Sequence, residues 1–190
     1  MGESEFPAPK LNLRNQLTAI DVRAGVVHPP IVKSLVWKDE ATTQLFAAAL
    51  AAQPALLDCY VELHGELGAG KTTLTRHLLH ALGVTGRVKS PTYTVVEPYE
   101  LAASIQRPHP LQIWHFDFYR FNHPSEWEDA GFRDIFASAG LKLAEWPDKV
   151  AAFAPPADLV IRIEVLPDTT RLIQLIAQTP IGIRLMEPIA

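Results

Sequence analysis

Gly65-Glu66-Leu67-Gly68-Ala69-Gly70-Lys71-Thr72 decides the fold. The run satisfies the phosphate-loop pattern G-x-x-x-x-G-K-[ST], whose glycines let backbone N–H groups converge on an anion. Upstream, Tyr60-Val61-Glu62-Leu63-His64 alternates as a short strand does. Downstream, Thr73 to Leu82 spaces its apolar residues as a helix does and stops at Gly83. Strand, glycine loop and helix in that order supply the context the pattern needs, and the helix N-terminus adds a positive dipole end. In such a loop Lys71 reaches the β- and γ-phosphates and the Thr72 hydroxyl ligates Mg²⁺. Glu66, Leu67, Gly68, Ala69, Gly70 and Thr73 complete the cradle. A turn that only caps a helix would explain Gly68 and Gly70. It would not explain Lys71-Thr72 heading an otherwise apolar helix.

Working outward, Ser34 to Trp37 reads as a strand. Asp39 to Ala52 reads as an Ala-rich helix with Leu45, Phe46, Ala49 and Leu50 on one face. The segment from Val88 begins as a loop and becomes a strand at Tyr93, and residues 100–110 read as a surface loop. Leu111 to Asp117 and Leu141 to Glu145 are apolar strands, each ending in an acid, with Ser125 to Phe136 helical between them. Asp158 to Leu166 and Arg171 to Gln178 flank a turn and predict an antiparallel hairpin. The expected fold is an α/β P-loop NTPase-like domain over residues 31–190. Its central sheet is mainly parallel, with flanking helices and antiparallel additions. Residues 1–30, punctuated by prolines, read as a loosely attached extension.

Composition narrows the class. A chain of 190 residues suits one domain, and a net charge of −4 argues against a free-standing nucleic-acid binder. One cysteine, Cys59, permits no intrachain disulfide and fits a reducing compartment. The N-terminus has no secretory pattern, and the most apolar stretch is too short for a bilayer, so a cytoplasmic protein without membrane contact is expected.

A phosphate loop requires a metal-holding acid at the C-terminal edge of a neighbouring strand. Asp117 and Glu145 both close such strands. One would hold Mg²⁺ and one would orient or deprotonate water, with the choice between them open. Ser90, Thr92 and Thr94 lie after the loop's helix, where hydroxyls approach a γ-phosphate and move on hydrolysis. Trp146 stands beside Glu145. His77 and His80 share a helix face but lack the cysteine or histidine neighbours of a metal site, so a solvated face is expected. No Asn-Lys-x-Asp motif is present, which favours ATP over GTP.

These motifs together resemble the TsaE (YjeE) family of small bacterial ATPases of tRNA threonylcarbamoyladenosine synthesis. The resemblance is carried by Gly65 to Thr73, by Val88-Lys89-Ser90-Pro91-Thr92-Tyr93-Thr94 and its continuation to Tyr99, by His115 to Arg120, and by Glu145-Trp146-Pro147. It covers about Ser34 to Leu166. It implies ATP and Mg²⁺ as ligands, Lys71 on phosphate, Thr72, Asp117 and Glu145 around the metal, and Ser90 to Thr94 as a switch-like loop. It also implies Trp146 as a functional neighbour and Glu40 as a contact beside the adenine. The implied partners are proteins of the TsaD and TsaB type, with tRNA met only through their complex. Residues 1–30 and the length of the 100–110 loop depart from the family pattern.

Two other classes compete. A small-molecule P-loop kinase would need an arginine-bearing lid, whereas Arg120 and Arg133 flank only a short acidic segment. A sensing module that binds nucleotide without turnover would not need both Asp117 and Glu145. Intrinsic hydrolysis should be slow, because only Arg120 offers itself as an internal arginine finger and a partner could supply one in trans.

Overall fold

The computed structural model describes residues 30–189 apart from Gln106. The expected N-terminal extension therefore lies almost wholly outside the described residues. In chain order the strands are β1 (Ile31–Trp37), β2 (Tyr60–His64), β3 (Val96–Leu101), β4 (Leu111–Asp117), β5 (Leu141–Glu145), β6 (Leu159–Val165) and β7 (Arg171–Ala177). The helices are α1 (Glu40–Ala51), α2 (Lys71–Leu82), α3 (Pro124–Asp129), α4 (Phe132–Ala137) and α5 (Pro180–Met186).

The strands form one sheet in the order β1-β7-β6-β2-β5-β4-β3. Pairings β6–β2, β2–β5 and β5–β4 are parallel, while β1–β7, β7–β6 and β3–β4 are antiparallel. This is the expected architecture: a parallel centre with antiparallel margins, including the hairpin of β6 and β7.

Side-chain alternation explains how the sheet divides the core. Odd-numbered residues of the central strands, such as Val61, Leu63, Ile113, Leu141, Leu143 and Ile161, join one apolar cluster with Leu50, Leu74 and Leu78 of α1 and α2. Even-numbered residues such as Tyr60, Phe116, Ala144 and Val160 join a second, aromatic cluster with Trp127 and Phe132 from α3 and α4. Within it Phe116 stacks on Phe118 at 5.3 Å and meets Phe132 edge-on at 5.4 Å. His115, Asp117 and Glu145 are odd-numbered, so the pleat sends them to the side of the sheet that α2 covers.

Local chemistry sets the boundaries. Asp39 caps α1, its Oδ1 accepting from Thr42 N at 2.8 Å. Only Phe46 and Leu50 of the expected apolar face are buried. Leu45 is 72% exposed, and Thr43 and Ala47 take the inner positions instead. The single helix expected over 125–136 is two, because Gly131 at φ +67° ends the first and starts the second. The strand expected from Tyr93 begins at Val96, after a turn closed by a bond from Val95 N to Pro91 O at 2.7 Å. It continues to Leu101, shortening the expected loop. Helix α5 was not anticipated; Thr179 caps it. No helix among the described residues is long and apolar enough to cross a membrane.

Candidate functional site

The loop after β2 turns back under α2. Gly65, Gly68 and Gly70 all have φ between +81° and +149°. Gly65 is also a close approach: a Cβ there would lie 2.5 Å from the Ile163 carbonyl oxygen of β6. α2 starts at Lys71, so its first N–H groups face the loop without helical partners.

Lys71 is buried and donates from Nζ to the carbonyls of Gly65 at 2.6 Å and Glu66 at 2.9 Å. Its ammonium also stands 4.0 Å from the centroid of the Trp146 ring. Burial lowers the Lys71 pKa, while Glu145, Asp117 and Glu66 pull it back up. The residue is thus a desolvated cation aimed into the loop. Trp146 reaches its position through a left-handed backbone, φ +58°, at the end of β5.

Glu145 is held on both oxygens. Thr72 Oγ1 donates to Oε2 at 2.9 Å, and His115 Nε2 donates to Oε1 at 2.9 Å. His115 is fully buried, and its Nδ1 has no partner among the described residues. One strand over, Asp117 is the register neighbour of Glu145. Its Oδ2 accepts from Ser90 Oγ and from Thr92 Oγ1, the latter at 2.7 Å, and its Oδ1 accepts from Tyr119 N at 2.9 Å. Lys71, Thr72, Ser90, Thr92, Asp117, Glu145 and Trp146 therefore converge at one edge of the sheet. Thr94 does not join them by any hydrogen bond among the described residues; it is exposed.

A small cleft on another side of the loop is lined by Trp37, Glu40, Thr43, Ala69, Gly70, Thr73 and Arg171. Glu40 and Thr73 thus line a cleft beside the loop. Glu66, Leu67 and Gly68 form its exposed crest, so only their backbone can face inward. His77 is not simply solvated: its Nε2 lies 2.9 Å from Glu40 Oε1. Arg120 lies over the Tyr93 ring, 4.3 Å from its centroid.

Sequence reasoning missed His115 and Arg171. Arg171 donates from Nε to the Ala69 carbonyl at 3.2 Å, tying β7 to the loop. His115 belongs to the run His115 to Arg120, but only the β4–β5 register reveals its contact with Glu145.

The donor set suits a hard divalent cation. Thr72, Asp117 and Glu145 offer hydroxyl and carboxylate oxygens. Among the described residues no cluster of three His, Cys, Asp or Glu side chains could hold a metal unaided. Mg²⁺ needs none, because it keeps waters and shares one or two carboxylates with phosphate oxygens.

A glycine loop between a central strand and a helix, facing paired acids at the ends of adjacent parallel strands, defines an α/β protein of the P-loop class. Residues 37–173 match the family model described as threonylcarbamoyl adenosine biosynthesis protein TsaE. The Haemophilus influenzae tRNA threonylcarbamoyladenosine biosynthesis protein TsaE is 47% identical over 122 residues, covering 64% of this chain and 72% of that protein. The Bacillus subtilis protein of the same name is 33% identical over 141 residues, 74% and 84% of the two chains. The crystal structure of Bacillus subtilis YdiB superposes with a TM-score of 0.67 at 26% identity, covering 85% of this chain and 95% of that one. The chain belongs to the TsaE family.

Proposed function

We propose that this protein is a Mg²⁺-dependent ATPase. It serves as an accessory subunit in forming the threonylcarbamoyl modification on the tRNA adenosine beside the anticodon. Hydrolysis resets a partner machinery of the TsaD and TsaB type, and tRNA is met only through that complex, in the cytoplasm. The functional unit is a single ATPase domain over residues 31–190, preceded by an extension. Family membership supports the pathway. The observation that carries the ATPase reading is the convergence of Lys71, Thr72, Asp117 and Glu145 beside one glycine loop.

In this reading the loop N–H groups and Lys71 hold the β- and γ-phosphates, and Lys71 leaves its carbonyl partners to do so. Bound Mg²⁺, held by Thr72 and the acids, would neutralise charge that develops on the phosphates. His115 fixes the Glu145 carboxylate so that one oxygen stays directed at Thr72. Ser90 and Thr92 sit on Asp117 and are placed to sense the γ-phosphate end. Trp37, Glu40 and Arg171 offer the adenosine side a cleft. Arg120, engaged with Tyr93, points to slow turnover in the isolated chain.

The test is ATP hydrolysis by the purified chain, with and without TsaD–TsaB and tRNA, for wild type and Glu145→Gln. Stimulation by partners that the variant loses supports the reading. Hydrolysis indifferent to both partners and Glu145 would sink it.

A further inference from the structure

α2 carries a second surface that adjoins the nucleotide site at Thr72 and extends away from it along the helix. Thr72, Arg76 and His80 are spaced four residues apart and so lie along one face of the helix. The segment 87–90 runs opposite, and between them lies a groove of about 470 Å³. Arg76, Arg87 and Lys89 line it, and no Asp or Glu does. Arg76 is steered by its Nε bond to the Val88 carbonyl at 3.4 Å, and His80 by contact with the Gly86 carbonyl at 3.1 Å. Arg87 and Lys89 are exposed, and among the described residues neither forms an ion pair. Three cations without acidic company are conspicuous in a chain of net charge −4. Self-repulsion of this kind is tolerated where a counter-charge arrives from outside.

The groove's floor is also informative. It ends at Thr72 and Ser90, whose hydroxyls bond Glu145 and Asp117 respectively. A ligand lying there reaches the two hydroxyls that bond these acids, while none of Gly65 to Lys71 lines the groove.

We propose that this groove is a docking site for an acidic segment of a partner protein, whose carboxylates pair with Arg76, Arg87 and Lys89. Bidentate geometry suits the two arginines to carboxylates. Nucleic acid fits less well. The cations are confined to one short groove rather than a stripe that tracks a backbone, and no Phe, Tyr or Trp lines it for a base to stack on. Occupancy would bias Ser90 and Thr72 and so couple the partner to the acids of the site. That consequence rests on the nucleotide reading; the docking itself does not.

The test is a titration of the ¹⁵N-labelled full chain with a short Glu-rich peptide, followed by amide shifts. Parallel titrations use a single-stranded oligonucleotide of matched charge and Mg-ADP. The peptide should move amides of Thr72 to His80 and of Arg87 to Ser90. The Arg87→Glu/Lys89→Glu variant should bind it about tenfold more weakly, and salt near 0.5 M should suppress binding in the wild type. Mg-ADP binding should be equal in both proteins. Peptide shifts elsewhere, or unchanged in the variant, would overturn the proposal. So would an oligonucleotide that binds these amides more tightly than the peptide. Failure of the wild type to bind Mg-ADP would count against the nucleotide reading and leave the peptide result intact.

Discussion

The Thr72 hydroxyl and the Glu145 carboxylate are joined by a 2.9 Å hydrogen bond that ties the first turn of α2 to the end of β5. The opposite oxygen of the same carboxylate accepts from His115, so Glu145 has no rotational freedom to spare. Glu145→Gln preserves an acceptor for His115 and removes the charge. It should fold with nearly unchanged stability and show a sharply weakened Mg²⁺ dependence of hydrolysis. Glu145→Ala also strips the fully buried His115 of its partner, which should cost about 1–3 kcal/mol in urea unfolding. Equal stability of the two variants would contradict the His115 contact.

Lys71→Ala removes a cation that burial already disfavours, so its loss should not unfold the protein. Nucleotide binding and hydrolysis should fall by about two to three orders of magnitude, the scale of losing one preorganised electrostatic contact. Calorimetric titration with ADP and ATP, alongside thermal unfolding, separates the two effects. Retention of full binding would remove Lys71 from the site.

Ser90→Ala and Thr92→Ala each delete one donor to Asp117. Both should leave ADP affinity nearly unchanged and slow hydrolysis, since the hydroxyls lie at the acid end of the site. Thr94→Ala, at an exposed residue with no bond to Asp117, should match wild type in both assays. A Thr94 variant slower than the Thr92 variant would reverse the order that the geometry gives.

Gly65→Ala should be the most damaging conservative change in the loop. Its Cβ would meet the backbone of β6 at 2.5 Å, and its φ of +149° already disfavours a side chain. A loss of about 3 kcal/mol or more is expected, in the range reserved for strained backbone or overpacking. Gly68→Ala meets no atom within 4 Å and carries only the conformational cost of its positive φ. Denaturant midpoints of the pair compare the two directly.

Alkaline pH should weaken the fold through Cys59. Burial, reinforced by Asp158 and Asp58, raises its thiol well above the ordinary value of 9.0. The folded state therefore keeps a proton that the unfolded chain releases, and stability is lost as pH rises above about 9. Tyr60 acts in the same sense above about 10, again through burial. Lys71 and Lys142, both lowered by burial, act in the opposite sense up to about 10.5. A comparison with Cys59→Ala isolates the thiol. The stability gap between the proteins should shrink above pH 9 by at most about 1.4 kcal/mol per pH unit. A constant gap would deny the shift.

The phosphate loop, its strand and its helix were legible because local residues specify them: glycines for the turn, and apolar spacing for β2 and α2. Asp117 and Glu145 were legible for a related reason, as each closes an apolar run. What the sequence hid is non-local. His115 sits inside a strand buried on both faces, where polar-apolar alternation gives no hint of its partner. The contact exists because parallel register sets β4 beside β5. Arg171 acts on Ala69 across 102 positions of chain. The break between α3 and α4 was available in Gly131 but was outweighed by helical spacing on either side. α5 also left a local trace, Thr179-Pro180, a capping residue followed by proline at the first helical position.

Cys59 is the sole thiol in the sequence, and it is packed at the foot of β2. The native protein is thus already close to a cysteine-free scaffold for surface chemistry. A cysteine placed at exposed Tyr93, on the turn that follows Ser90, would take a maleimide dye alone, with no background labelling to subtract. Movement of that turn could then be followed by distance-sensitive spectroscopy in the otherwise unaltered chain.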